Sequence, residues 1–104
     1  MQDLTLLRGL SLLRQGEYFA AHEELEHAWR AAPAAERDFI QGLIHLAVAW
    51  YQAGRGRPIA CERQLAKARR RLAPFSPRHR GLDVEDLLAQ AERAAASVAA
   101  GSLD

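Results

Sequence analysis

Several residue types that mark particular classes of protein are scarce in this sequence. One of the 104 residues is a cysteine, Cys61, so the chain cannot close an internal disulfide, which is typical of the reducing cytoplasm. Asparagine is absent, and one lysine stands against 13 arginines, a bias that suits a thermostable protein. Asp3 interrupts the N-terminal segment, which lacks the continuous apolar core of a secretory signal. The sequence therefore predicts a cytoplasmic, thermostable protein.

Long apolar runs and alternating runs are also lacking. The longest apolar segment, residues 43–51, contains His45 and is far too short to span a bilayer. No segment alternates apolar and polar residues as a half-buried strand does. The length and the hydrophobic content of 49% suit one globular domain over residues 1–104. We therefore expect a soluble all-α domain with no membrane partner.

The sequence offers little for nucleophilic catalysis or for nucleic-acid binding. Ser11, Ser76 and Cys61 have no recognisable base and orienting group near them in sequence. The formal net charge is only +1, which argues against a dedicated nucleic-acid binder. We therefore favour a non-enzymatic protein over an enzyme. A homo-oligomer formed through an Ala-rich helix face stays open, and the sequence names no protein or small-molecule partner.

Helical periodicity and helix-end signals predict a compact bundle of about five helices. Gly16 suits the position after a helix, and Pro33 stops one. Pro58 suits the first turn of a helix, and Asp83 is a good N-cap. The third helix is apolar around most of its circumference, so we expect it to be the buried central helix, with Trp50-Tyr51 in the core. The expected helices run from Asp3 (as N-cap) to about Gln15, Glu17 to Ala32, Ala34 to Gly54, Pro58 to Leu72 and Val84 to about Ala99, with a proline-interrupted loop over residues 73–82.

Charged, imidazole and aromatic side chains are concentrated in the second helix. At about 100° per residue, Tyr18, His22 and Trp29 share one face with Leu25, and Glu26 lies at its edge. We expect this face to pack against the rest of the protein. An unpaired polar group buried there would cost roughly 1–3 kcal/mol. The expected cluster on this inner face, with the nearest polar groups of the third helix, comprises Tyr18, His22, Glu23, Glu26, Trp29, Gln41 and His45.

Three functions for this cluster stay open. The first is a binding or interaction site, and the second is a structural polar network that fixes the register of two helices. The third is a divalent metal site in a small hydrolase, with His22 and Glu26 as ligands, His45 and Gln41 on the facing helix, and Glu23 as general base. His22-Glu-x-x-Glu26 is similar to the zinc-protease His-Glu-x-x-His helix but lacks the second histidine. A catalytic zinc also needs three protein ligands.

A second candidate site is the basic run that follows the fourth helix into the loop. Its members are Lys67, Arg69, Arg70, Arg71, Arg78, His79 and Arg80. Such a run favours a weak anion or nucleic-acid site. The alternative is a solvated helix C-terminus, where the helix dipole favours cations.

Laid out in this way, the sequence resembles a family of small bacterial and archaeal proteins, domain-of-unknown-function family 309. The resemblance covers roughly residues 8–90 and rests on Gly16, Tyr18, Phe19, His22, Glu23, Leu25, Glu26 and Trp29, then Gln41-Gly-Leu-Ile44, then Gly81-Leu-Asp83. The chain departs from the family pattern at His45, where a Gln is expected, and at Gly54-Arg-Gly56, where a Gly-Asn turn is usual. The resemblance implies a compact helical bundle and no assigned activity.

Overall fold

The computed structural model describes residues 4–101, and in this part of the chain five helices form the bundle. Their bounds are Leu4–Arg14 (α1), Tyr18–Ala31 (α2), Ala34–Gly54 (α3), Pro58–Leu72 (α4) and Val84–Ala99 (α5). The predicted all-α bundle is confirmed, and each boundary lies close to the expected one. The expected N-cap of the first helix, Asp3, lies outside the described residues. None of the described helices is long and apolar enough to cross a bilayer.

Local signals explain where the helices begin and end. Gly16 takes a φ of +80° directly after α1, a conformation that favours glycine. Pro58 is the first residue of α4, where its missing N–H costs no hydrogen bond. The Asp83 side chain accepts a hydrogen bond of 2.9 Å from the backbone N–H of Asp86 and so caps α5. Local sequence signals therefore coincide with these boundaries.

Helix α3 is the central helix, as predicted, and α2, α4 and α5 all pack on it. Its side chains Phe39, Leu43 and Leu46 are almost completely buried. Gly42 lets α4 come close, because a Cβ at this position would lie 2.5 Å from Cγ of Leu72. The part of α3 that stays near the surface borders α2 and α4.

The segment predicted as a loop over residues 73–82 has more structure than expected. It contains a 3₁₀ turn, Ala73–Phe75, and an antiparallel pair of two-residue strands, Arg78–His79 (β1) and Leu82–Asp83 (β2). Two residues are too few to show alternation, so the sequence pattern could not reveal them. The His79 ring lies 4.5 Å from the ring of Phe39 and 4.7 Å from that of Phe75, which anchors the segment to α3.

Candidate functional site

The buried stripe of α2 is formed by Ala21, Leu25 and Ala28, and not by the polar residues beside it. The His22 side chain is 29% exposed and that of Glu26 is 43% exposed, so both lie at the partly exposed edge of the inner face and not in the core. Helix α2 turns its small residues toward its neighbours because close approach needs them. At Gly9 of α1 a Cβ would lie 2.8 Å from Cδ2 of Leu25.

His22 and Glu26 contact each other within α2. Nε2 of His22 lies 3.1 Å from Oε1 of Glu26, one helical turn away. Glu23 is exposed, and Trp29 lies near the other end of the helix with the guanidinium of Arg37 at 5.1 Å from its ring centroid. The pair supplies two metal donors. Within residues 4–101 no group of three or more His, Cys, Asp or Glu side chains lies close enough to hold a metal ion.

Gln41 and His45 lie on the partly exposed face of α3, where it borders α4. Nδ1 of His45 lies 2.8 Å from Oε1 of Gln64, and Nε2 lies 3.4 Å from Nε2 of Gln41. This pattern fits a neutral ring that donates from Nδ1 to Gln64 and accepts at Nε2 from Gln41. The cluster expected from the sequence is therefore divided between two sites. Gln41 and His45 contact each other and Gln64 of α4, and among the described residues no contact joins them to His22 or Glu26.

The environment of His45 keeps its imidazole neutral. Burial is the largest cause and lowers the pKa of His45 below its ordinary value. The hydrogen bond with Gln64 raises this pKa, while the positive charges of Lys67, Arg71 and Arg70 lower it. The ring is thus a neutral hydrogen-bonding group beside several cations.

Further along α3, where it borders α2, aromatic side chains of α2 and α3 enclose a shallow depression of about 210 Å³. The ring of Phe19 lies 6.1 Å from that of His22 and 6.0 Å from that of Tyr51, measured between centroids. Phe19 is 58% exposed, which is unusual for a phenylalanine. We call this feature the aromatic depression. Its lining residues are Tyr18, Phe19, His22, Val48, Tyr51 and Gln52.

Gln52 brings an unsatisfied acceptor to the aromatic depression. Its Oε1 atom is buried and has no hydrogen-bond partner in the part of the chain that the structure describes. A buried acceptor left unpaired costs about 1–3 kcal/mol, so such groups are rare in folded proteins and call for an explanation. Sequence analysis missed Phe19, Tyr51 and Gln52 as site residues. A polar Gln directly after two aromatic residues near the end of a buried helix was the available signal.

The predicted core pair Trp50-Tyr51 is only partly buried. Trp50 stacks on Tyr18, with ring centroids 5.7 Å apart and an angle of 11° between the planes. Both rings line a cleft of about 490 Å³ that also receives Arg14 and Arg78. Trp50 packs against the core but is not fully buried, because its ring borders this cleft between α1, α3 and α5.

The predicted basic run is divided into separate ion pairs. Arg69 lies between Glu62 and Glu92, at N–O distances of 3.0 and 2.9 Å, and these hydrogen bonds raise its pKa. The remaining pairs, with their N–O distances, are Arg71–Asp38 at 2.6 Å, Arg78–Asp83 at 3.6 Å, His79–Glu36 at 3.1 Å and Arg80–Glu36 at 3.2 Å. Arg70 has no ion-pair partner among residues 4–101. A continuous basic stripe over residues 67–80 is therefore not present on the described surface.

Comparison with known proteins agrees with the resemblance. The family model described as a domain of unknown function (DUF309) matches residues 6–63, more than half of the chain. The match includes the whole aromatic depression and ends within α4, so Gly81-Leu-Asp83 lies beyond it. No curated protein and no solved structure matches the chain. The chain therefore belongs to the family of the domain of unknown function DUF309.

Proposed function

We propose that the protein is a non-enzymatic binding module that holds a small organic ammonium group in the aromatic depression. The observation that carries the proposal is that Gln52, whose Oε1 atom is buried and unpaired, lines the depression together with the rings of Tyr18, Phe19 and Tyr51. An ammonium N–H would donate to this oxygen, and the faces of the rings attract a positive charge. A ligand of this chemistry would relieve the desolvation penalty that the unpaired acceptor carries.

The charges around the depression support a cation. No Lys or Arg is among its six lining residues, and the carboxylate of Glu26 is held next to the lining residue His22. One ring already attracts a cation: the guanidinium carbon of Arg55 lies 5.5 Å from the centroid of Tyr51, and Nη1 donates to the Tyr51 hydroxyl at 2.9 Å. Arg55 does not line the depression, so it leaves the space free for a ligand.

The size and chemistry of the depression favour binding of a small group. Its volume of about 210 Å³ is below the range of about 300–1,000 Å³ that is usual for drug-sized ligands. It suits the end of a lysine side chain or a short alkylamine, with the rest of the ligand in solvent. The lining residues offer rings, an imidazole and an amide, which is a binding set, and none of them is a Ser, Cys or Lys nucleophile.

The test is a titration of the isotope-labelled protein with n-butylammonium chloride, followed by nuclear magnetic resonance. We expect saturable shifts of the Gln52 side-chain amide and of the Trp50 indole, which stacks on Tyr18. The Trp29 indole, at the far end of α2, should stay unchanged. n-Butanol, similar in size and able to donate one hydrogen bond but uncharged, should bind several times more weakly. Equal responses to both compounds, or none to either, would contradict the proposal.

A further inference from the structure

We infer that the groove between α3 and α4 is a second binding site, which takes the phosphate group of a small phosphate ester. This site is separate from the aromatic depression and does not depend on the function proposed for it. The groove has a volume of about 560 Å³, and its lining contains no carboxylate. The lining residues, which we call the basic groove, are Gln41, His45, Lys67, Arg70 and Arg71.

The positive charge in the basic groove is largely uncompensated. Lys67 and Arg70 have no ion-pair partner within residues 4–101, and Arg71 pairs with Asp38, a residue that does not line the groove. The three cations occupy little more than one turn of α4, so their positive charges are concentrated at the groove. In contrast, the neighbouring Arg69 is held by two carboxylates. Two of the three α4 cations that have no ion-pair partner among the described residues, Lys67 and Arg70, therefore lie in the groove.

The helix dipole explains only part of this arrangement. Cations are stabilised near the C-terminus of a helix, and Arg69, Arg70 and Arg71 lie in the last turn of α4. The dipole favours cations anywhere around that turn. It does not explain why two cations stay unpaired on the one side that faces Gln41 and His45. A negatively charged ligand in the groove explains both why these cations are unpaired and why they face Gln41 and His45.

The neutral residues of the groove complete a site for oxygen atoms. The side-chain amide of Gln41 lies 3.4 Å from Nε2 of His45, which is a long and weak hydrogen bond. Its N–H groups can therefore turn to an anion at little cost. His45 is fixed by its bond of 2.8 Å to Gln64 of α4 and holds the two helices in register beneath the groove.

A phosphate ester fits the groove better than a carboxylate or a nucleic acid. A phosphate monoester carries close to two negative charges and three terminal oxygens, which matches three cations and an amide. Arginine presents a planar fork of N–H donors that suits phosphate. A nucleic-acid backbone would need a longer stripe, and the carboxylates paired with Arg69, Arg78 and Arg80 interrupt it on both sides.

The experiment is a titration with methyl phosphate at low ionic strength, followed by amide shifts of α3 and α4. We expect saturable shifts around the groove, a dissociation constant that rises with salt, and affinity about tenfold weaker in Arg70→Gln. Arg63→Gln is the matched control, since Arg63 is an exposed arginine of the same helix outside the groove. It should leave the affinity within about twofold. Thermal unfolding of both variants checks that the fold is kept.

Three further compounds are titrated in the same way: inorganic phosphate, acetate and a single-stranded oligonucleotide. Binding of inorganic phosphate as tight as that of methyl phosphate would support the phosphate chemistry and make free phosphate the source. Equal binding of acetate, or equal loss in Arg70→Gln and Arg63→Gln, would overturn the site in favour of general charge attraction. Tighter binding of the oligonucleotide, with shifts that extend to Arg78 and Arg80, would overturn the small ester in favour of nucleic acid.

Discussion

The aromatic depression and the basic groove lie at different levels of the same helix, one against α2 and the other against α4, and each has the unmet group that the other lacks. On the α2 side of α3 a neutral acceptor, Gln52 Oε1, lies unpaired beside aromatic rings. On the α4 side the cations Lys67 and Arg70 lie unpaired beside neutral donors. A central helix that is apolar around most of its surface can place polar residues only along its two borders. The neighbouring helix at each border then decides what ligand chemistry results.

The two sides also differ in their relation to the family. All residues of the aromatic depression lie within the matched segment 6–63, whereas the three cations of the basic groove lie beyond its end. The first site is therefore built from the segment that defines the family, and the second depends on the later part of this chain. The predictions that follow separate the two sites, from the largest expected effect to the smallest.

The largest effect is expected from a methyl group at the contact between α3 and α4. In Gly42→Ala the new Cβ would lie 2.5 Å from Cγ of the buried Leu72 and 3.3 Å from Cβ of Arg71. Overpacking of this kind costs about 1–3 kcal/mol, measured as the loss of unfolding free energy in urea. Methyl phosphate binding should weaken while butylammonium binding persists. Gly54→Ala, at an open position of the same helix, is the control and should be neutral or stabilising by about 0.4–1 kcal/mol. Equal losses in both variants would contradict the close contact.

The second effect concerns the unpaired acceptor. Gln52→Met replaces the amide by an apolar group of similar shape and removes the buried oxygen. We expect the unfolding free energy to rise by about 1 kcal/mol, because the desolvation cost disappears. Butylammonium binding should be lost and methyl phosphate binding unchanged. A variant that is less stable than the parent would indicate that Gln52 is already satisfied in the folded protein.

The third effect is a pH dependence that arises on the α4 side. Burial lowers the pKa of His45 below its model-peptide value of 6.5, so the unfolded chain takes up a proton there before the folded chain does. The contribution of His45 to stability is therefore fully present above pH 6.5 and declines as the pH falls below that value. Urea unfolding of the parent and of His45→Gln at several pH values measures this. The loss of stability on acidification should be smaller in the variant, and an identical loss in both would contradict the neutral ring.

A smaller effect on stability is expected at the exposed aromatic residue. Phe19 is 58% exposed, so Phe19→Ala should change the unfolding free energy by no more than about 0.5 kcal/mol. It should nevertheless weaken butylammonium binding several-fold, because one wall of the depression is removed. Ile59→Ala changes another exposed apolar residue, outside the depression, and should leave binding unaltered. Equal weakening in both variants would remove Phe19 from the site.

The smallest effect is expected for metal content. His22 and Glu26 supply two donors, fewer than the three protein ligands of a catalytic zinc site. Elemental analysis of chelator-free protein should therefore find well below one zinc, iron or manganese per chain in both the parent and His22→Ala. About one metal ion per chain that is lost in the variant would replace the ammonium proposal by a metal site and revive the hydrolase hypothesis.

Local sequence was enough for the helices because the signals that end a helix act over a few residues. Pro58 and Asp83 begin α4 and α5 where their chemistry predicts, and the apolar circumference of α3 identifies it as the central helix. The two short strands within residues 78–83 were not predicted, since a strand of two residues shows no periodicity. The family was also recognisable, because its residues lie at fixed spacings in α2 and α3.

The sequence by itself therefore determined the number of helices, their limits and the central position of α3, all of which depend on neighbours in the chain. Only the tertiary structure decided which polar groups meet. Helix α2 buries its Ala21–Leu25–Ala28 stripe, which places His22 and Glu26 at the partly exposed edge of its inner face, and the packing of α4 brings Gln64 to His45, 19 residues away. A rotation of one helix by a fraction of a turn changes every contact of its side chains while leaving its periodicity intact. For this reason the two sites could be identified only from the tertiary structure.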